Sequence, residues 1–292
     1  MVCREDYHTA PFAFYRYVPS IAAAIIFCIL FVLSFFLHWF QMWKTKTWYL
    51  TCLVIGCLLE FIGYAGRAAS ATQEVNCWSL GPFIIQGIFI LVPPALFAAS
   101  IYIILGRIIL LTDGESYSMI KRTRLTKTFV WGDVLCFWLQ AGGGGLQAAS
   151  NSPSLPKIGE YVVIAGLAFQ IVWFGFFLVV ATTFHRRMLR APTERSQQSE
   201  VRWESYLTTL YVCSSLIMVR SIFRVIEYAM GNDGYLMAHE AFLYVFDAVP
   251  MFIVVVWLHW KHPSEIGLLL RGAEPPANGF EIVTMRRKDA TI

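Results

Sequence analysis

The sequence predicts an all-α, polytopic membrane protein with seven transmembrane helices, its N-terminus outside and its C-terminus cytosolic. Three observations lead there. First, the 292 residues are 57% hydrophobic and only 14% charged, with a mean hydropathy of +0.58, against about 25% charged residues in ordinary soluble chains. Second, seven segments are apolar for long enough to cross a hydrocarbon core of about 30 Å. Third, Lys and Arg are unevenly shared between the loops. Lys44, Lys46, Lys121, Arg122, Arg124 and Lys127 fall on one side with Arg186–Arg202 and Arg271–Lys288, whereas Arg4, Arg16 and Lys157 fall on the other. The rich side is assigned to the cytosol. The net charge of +4 adds little to that distribution.

The first segment, Ser20–Gln41, is uninterrupted by charge and too long for a signal peptide, with no small-x-small cleavage site after it. The second, Trp48–Ala69, carries Glu60 and Arg67 in an otherwise apolar run. The third, Leu80–Leu111, exceeds one bilayer thickness, so it must tilt or kink at Pro93-Pro94. The fourth, Thr128–Ser150, contains Asp133, Gln140 and the run Gly142–Gly145. That run either lets a neighbouring backbone approach or supplies a flexible point. The fifth is Gly159–Phe184. The sixth, Tyr206–Met230, and the seventh, His239–Trp260, each carry several ionisable residues. These segments form one domain over 19–262, between an extracellular tail of residues 1–18 and a basic cytosolic tail of residues 263–292 that is expected to be disordered.

The charged residues inside the spans are the candidate site. An ion at the bilayer centre costs about 2.5–3.5 kcal/mol on insertion scales. Glu60, Arg67, Arg220, Arg224, Glu227, Glu240 and Asp247 left uncompensated would therefore cost on the order of 20 kcal/mol. They must pair or line water. Glu60, Tyr64 and Arg67 stand at i, i+4 and i+7, on one helix face. Arg220, Arg224 and Glu227 with Tyr228 repeat this, as do Glu240, Tyr244 and Asp247. All three faces fall in the outer half of the membrane, with three positive charges against four negative ones. A static lattice fixing helix register and a substrate headgroup site are both open readings, the second favoured because intramembrane charges are functional candidates by default.

A second group consists of Arg107 and Asp133, whose depths permit a pair. Gln86, Gln140, Gln147 and Gln170 are either inter-helix glue or a secondary polar path. Five of the seven cysteines lie within spans. Cys3 and Cys77 both fall on the exterior, where an oxidising compartment permits a disulfide between them. No metal set, nucleophile–base pair, nucleotide-binding loop or basic–aromatic nucleic-acid surface is legible. The expectation is a non-enzyme with no cofactor and no metal, whose partners are membrane lipids and an amphipathic substrate. Seven helices also suit a rhodopsin, but the seventh lacks an internal lysine for retinal; Lys261 lies beyond its end.

The motifs resemble those of the fungal lipid-translocating exporter family, also called the resistance-to-aminocholesterol family, over nearly the whole chain. The matching pieces are Tyr17-Val18-Pro19-Ser20 with His38 and Gln41, GCLLEFIGYAGR (56–67), PPALFAASIYIILGRII (93–109), Asp133 with Gln140 and the glycine run, and GLAFQ (166–170). The most specific stretch is RSIFRVIEYAMGNDGYLMAHEAFLYVFDAVPM (220–251), followed by His262-Pro263. The asparagine expected in the first helix is replaced within Ala22–Ala24. The resemblance implies a translocator of sphingoid-base-like lipids or lipophilic toxic compounds, linked to drug resistance and placed in the plasma membrane, with an internal membrane as the alternative. A seven-helix receptor-like sensor of lipids or membrane stress is the alternative.

Overall fold

The computed structural model describes residues 2–3, 15–74, 77–148, 155–198, 201–231 and 234–271. The first helix, α1 (Ile21–Thr45), is capped by Ser20, whose Oγ accepts from the Ala23 N–H at 3.4 Å, and closes at Lys46 in the left-handed conformation. It pairs with α2 (Thr51–Ala71). A two-residue antiparallel ladder joins β1 (Val2–Cys3) to β2 (Cys77–Trp78), placing Cys3 opposite Cys77. Cys77 is disulfide-bonded; the Cys3 side chain lies outside the described residues.

The third predicted span is two helices, α3 (Leu80–Leu91) and α4 (Pro93–Leu111), divided at Val92. The cause is local. Pro93 and Pro94 have no N–H to offer the carbonyls four residues back, so the α-helical ladder is interrupted there. Next come α5 (Arg122–Ala148) and α6 (Leu155–Arg190), which pack along each other, then α7 (Trp203–Ala229). A short helix, α8 (Tyr235–Ala238), precedes the last predicted span, which is composite: α9 (Glu240–Leu243), a π-helical turn over Tyr244–Ala248, and α10 (Val249–Trp260). The tail expected from residue 263 opens with a helix, α11 (Ser264–Leu269), because Ile266, Leu268 and Leu269 are buried. Residues 272–292 lie outside the described ones.

Among the described residues, six helical stretches are long and apolar enough to cross a membrane. The fourth predicted segment is helical but does not qualify. Its helix begins with Arg122, Arg124 and Lys127 and carries Asp133 and five glycines, which dilute its hydropathy.

Helix α4 is central. It contacts α2, α5 and α7 and is buried along most of its length. Around it, α1 meets α2 and α10, α10 meets α7, and α7 meets α6. Two close approaches set this arrangement. At Gly63 an added Cβ would lie 2.7 Å from Ile90 Cγ1 and 3.1 Å from the Phe89 carbonyl carbon, so α2 and α3 touch backbone to side chain. At Gly143 it would lie 2.6 Å from the Gly159 carbonyl oxygen, whereas Gly142, Gly144 and Gly145 face open space. One glycine of that run packs α5 against α6, and the others leave the helix unbroken.

Candidate functional site

The ionisable residues of α2, α7 and the α9–α10 stretch converge at the end of the bundle where α1 begins and α2 and α7 end. Two sub-clusters form. In the outer one, Arg67 is fully buried and surrounded by acceptors. Its Nη2 donates to Glu240 Oε1 and to the Tyr17 hydroxyl, each at 2.7 Å. Its Nε donates to the Tyr244 hydroxyl at 3.0 Å and its Nη1 to Gln86 Oε1 at 3.3 Å. The guanidinium also lies 5.6 Å and 5.3 Å from the Tyr17 and Tyr244 ring centres, within cation–π range. Glu240 completes the set by accepting the Ser20 N–H at 2.8 and 3.0 Å, so a carboxylate sits at the start of α1, where the helix dipole favours negative charge.

In the inner sub-cluster Asp247 bridges two arginines. Arg220 Nε pairs with Oδ1, and Arg224 Nη2 donates to Oδ2 at 2.6 Å. Arg224 Nη1 donates to Glu227 Oε2 at 3.0 Å. Arg220 Nη2 donates to the Ile90 carbonyl at 3.2 Å. That carbonyl is the one an N–H at position 94 would have occupied, so the proline that breaks the third span also frees the acceptor for Arg220. The π turn brings Asp247 and Tyr244 into the cluster by adding one residue to the local helical repeat, and such turns are frequent at functional sites.

Glu60 is the remainder. Three arginines are engaged by Glu240, Asp247 and Glu227. Glu60 is 1% exposed, and its Oε2 has no hydrogen-bond partner among the described residues. It lies within electrostatic reach of Asp247, Arg220 and Arg224. Tyr64, one turn away, is stacked among Phe27, Phe31 and Tyr244 at ring separations of 5.5–6.2 Å, and its buried hydroxyl is likewise unpartnered among those residues.

The second predicted group does not assemble. Arg107 lies over the Tyr49 ring at 3.5 Å, while Asp133, 4% exposed, faces Tyr102. The physical reason is depth. Gly106 is level with Arg122 and Thr126, and the Tyr102 ring lies 5.3 Å from that of Phe129, so Asp133 lies about two helical turns away from Arg107 along the bundle. Gln140 and Gln170 join α5 to α6 through a 2.9 Å bond. Gln86 belongs instead to the Arg67 set, and Gln147 packs beside Gly159 with its Nε2 unpartnered among the described residues.

The segment before α1, noted in the sequence only as the family motif Tyr17–Ser20, was not among the expected site residues. Tyr15, 4% exposed, donates its hydroxyl to Gln86 Oε1 at 3.0 Å and packs edge-on against Trp78 and Phe83. Burial holds the Tyr15 phenol up to about 12 and raises that of Tyr17, so both stay neutral hydroxyls. The signal was the Tyr-x-Tyr-x-Pro-Ser pattern against the start of a span.

The family described as "RTA1 like protein" matches residues 53–268. "Protein RTM1" of Saccharomyces cerevisiae is 40% identical over 70% of this chain and 64% of its own length, so the chain spans less than two thirds of that relative. "Protoporphyrin uptake protein 1" of the same species is 35% identical over 84% of this chain and 90% of its own. "Sphingoid long-chain base transporter RSB1", also from Saccharomyces cerevisiae, is 25% identical over 85% of this chain and 72% of its own. No solved structure matches.

Proposed function

This chain belongs to the RTA1-like protein family, and from that premise we propose that it translocates amphipathic, amine-bearing lipids of the sphingoid-base kind across its membrane, conferring resistance to lipophilic toxic compounds. Relatives named as transporters rather than enzymes support membrane lipid translocation in general. The observation that carries the finer reading is Glu60, a buried carboxylate with no ion-pair partner among the described residues, beside arginines already paired with Asp247. A lipid ammonium group supplies the missing positive charge, with Asp247 as its neighbouring acid. The tail stays in the bilayer between helices. Because Asp247 is shared by Arg220 and Arg224, the incoming cation exchanges one ion pair for another, and part of its desolvation cost is offset.

With this reading go a seventh span formed by α5, an exterior N-terminus, a cytosolic C-terminal tail and residence in the plasma membrane. The β1–β2 register supports Cys3 as the partner of Cys77. The test is reconstitution of the pure protein into liposomes carrying a fluorescent sphingoid-base analogue. Loss of the analogue from one leaflet, above that of empty liposomes and abolished by Glu60→Gln in a monodisperse protein, is the expected result. Full transport by Glu60→Gln would remove Glu60 from the mechanism. No transport by the folded wild-type chain, across several lipid classes, would favour a receptor-like sensor.

A further inference from the structure

We propose that the segment Tyr15–Ser20 is an internal stand-in for a headgroup, filling an outer subsite made by Arg67, Gln86 and Glu240 that an amino-alcohol lipid must take from it. This rests on the translocator reading and adds an entry step to it. The segment is irregular in backbone yet pressed against the site. It presents three polar groups to the cluster: the Tyr15 hydroxyl donates to Gln86 Oε1 at 3.0 Å, the Tyr17 hydroxyl accepts from Arg67 Nη2 at 2.7 Å, and the Ser20 N–H donates to both oxygens of Glu240. Two hydroxyls and one N–H donor, directed at an amide oxygen, a guanidinium and a carboxylate, form the functional-group set of an amino-diol. An ammonium is a stronger donor to Glu240 than a backbone amide, and two alcohols replace the two phenols.

The two occupants cannot coexist. Arg67 directs four of its five N–H groups to Tyr17, Glu240, Tyr244 and Gln86, and the Gln86 side-chain carbonyl already accepts twice. Headgroup binding at this subsite and seating of the segment therefore compete, and anything that loosens the segment tightens apparent binding by removing the competitor. Tyr15 also packs edge-on against Trp78, next to the disulfide-bonded Cys77. Beneath it lies Ser70, fully buried with its side chain against Tyr15, a reporter position that release of the segment would uncover.

The test uses the full-length Ser70→Cys protein in liposomes with a membrane-impermeant thiol reagent, and reads modification of the peptide containing residue 70 by mass spectrometry. Sphinganine, a long-chain 2-amino-1,3-diol, is the probe, and 1-octadecanol is the tail control. Sphinganine is expected to raise the labelling rate about tenfold and octadecanol to leave it unchanged. Adding Tyr15→Phe and Tyr17→Phe is expected to raise labelling without any lipid and to lower the sphinganine concentration for half-effect. Tyr17→Phe alone gives the same direction if the double variant is not monodisperse. Labelling unaffected by sphinganine, an equal response to octadecanol, or no effect of the Phe substitutions would each overturn the proposal. Lipid movement measured on the same liposomes separates the two ideas. Transport without a labelling response sinks the subsite alone, whereas a labelling response without transport sinks translocation and keeps the subsite.

Discussion

Asp247→Asn is the substitution whose cost the geometry defines most tightly. Asp247 is 1% exposed and holds Arg220, 2% exposed, through Oδ1 and Arg224, 14% exposed, through Oδ2. The amide keeps the shape and removes the charge. Arg224 retains Glu227, but Arg220 loses its paired carboxylate and keeps only neutral acceptors, the Ile90 carbonyl and at most the new amide oxygen, among its hydrogen-bond partners in the described residues. Removing one member of a buried pair costs about 3–5 kcal/mol, because the other charge stays buried and uncompensated. At roughly 2–4 °C of midpoint per kcal/mol for a chain of this order of size, the apparent midpoint in detergent should fall by roughly 10 °C. Glu240→Gln should cost less, about 1–3 kcal/mol, since Arg67 keeps Tyr17, Tyr244 and Gln86. Replacing both ends, as Asp247→Leu with Arg220→Met, should recover at least half of the Asp247→Asn loss, because an apolar pair leaves no orphaned charge from Arg220. A midpoint for Asp247→Asn within 2 °C of wild type (about 1 kcal/mol or less), or simple additivity of the double variant, would refute the view that this cluster is a tightly coupled set.

Three other outcomes follow from the packing and titration of particular residues. Gly143→Ala should separate α5 from α6 and cost about 1–3 kcal/mol, since its Cβ would meet the Gly159 carbonyl oxygen at 2.6 Å. Gly144→Ala, in open space, should be neutral or stabilising by up to about 1 kcal/mol, and equal thermal midpoints for the two would count against the close approach. Glu60→Gln should leave the midpoint near that of wild type even as transport is lost, because its Oε2 gives up no protein partner among the described residues. His262 is held neutral, down to about 3, by burial and by the neighbouring His38 and His259. A histidine with a lowered folded value contributes stability that is complete above about 6.5 and drains away as pH falls toward 3. The difference in midpoint between wild type and His262→Gln should therefore shrink or reverse as pH is lowered from 7 to 4, and a constant difference would exclude that linkage.

The membrane class and the ionisable faces were legible because they depend on composition and on the 3.6-residue repeat alone. Glu60, Tyr64 and Arg67 on α2 must share a face wherever that helix is placed, and their burial follows from the cost of leaving charge in lipid. The break at Pro93-Pro94 was equally open to reading, since proline removes its own N–H in any fold. Partner choice was not. Whether Asp247 meets Arg220, Arg224 or Glu60 depends on how far α7 and α10 rotate about their axes, and the π turn at Tyr244–Ala248 resets that rotation without a distinctive residue to announce it. The separation of Arg107 from Asp133 shows the same limit, because a span's ends fix depth only to a turn or two while an ion pair needs a few ångströms. Only the tertiary structure could seat Tyr15, Tyr17 and Ser20 on Arg67, Gln86 and Glu240, since those contacts join residues 50 or more positions apart, and helical periodicity carries no information at that range.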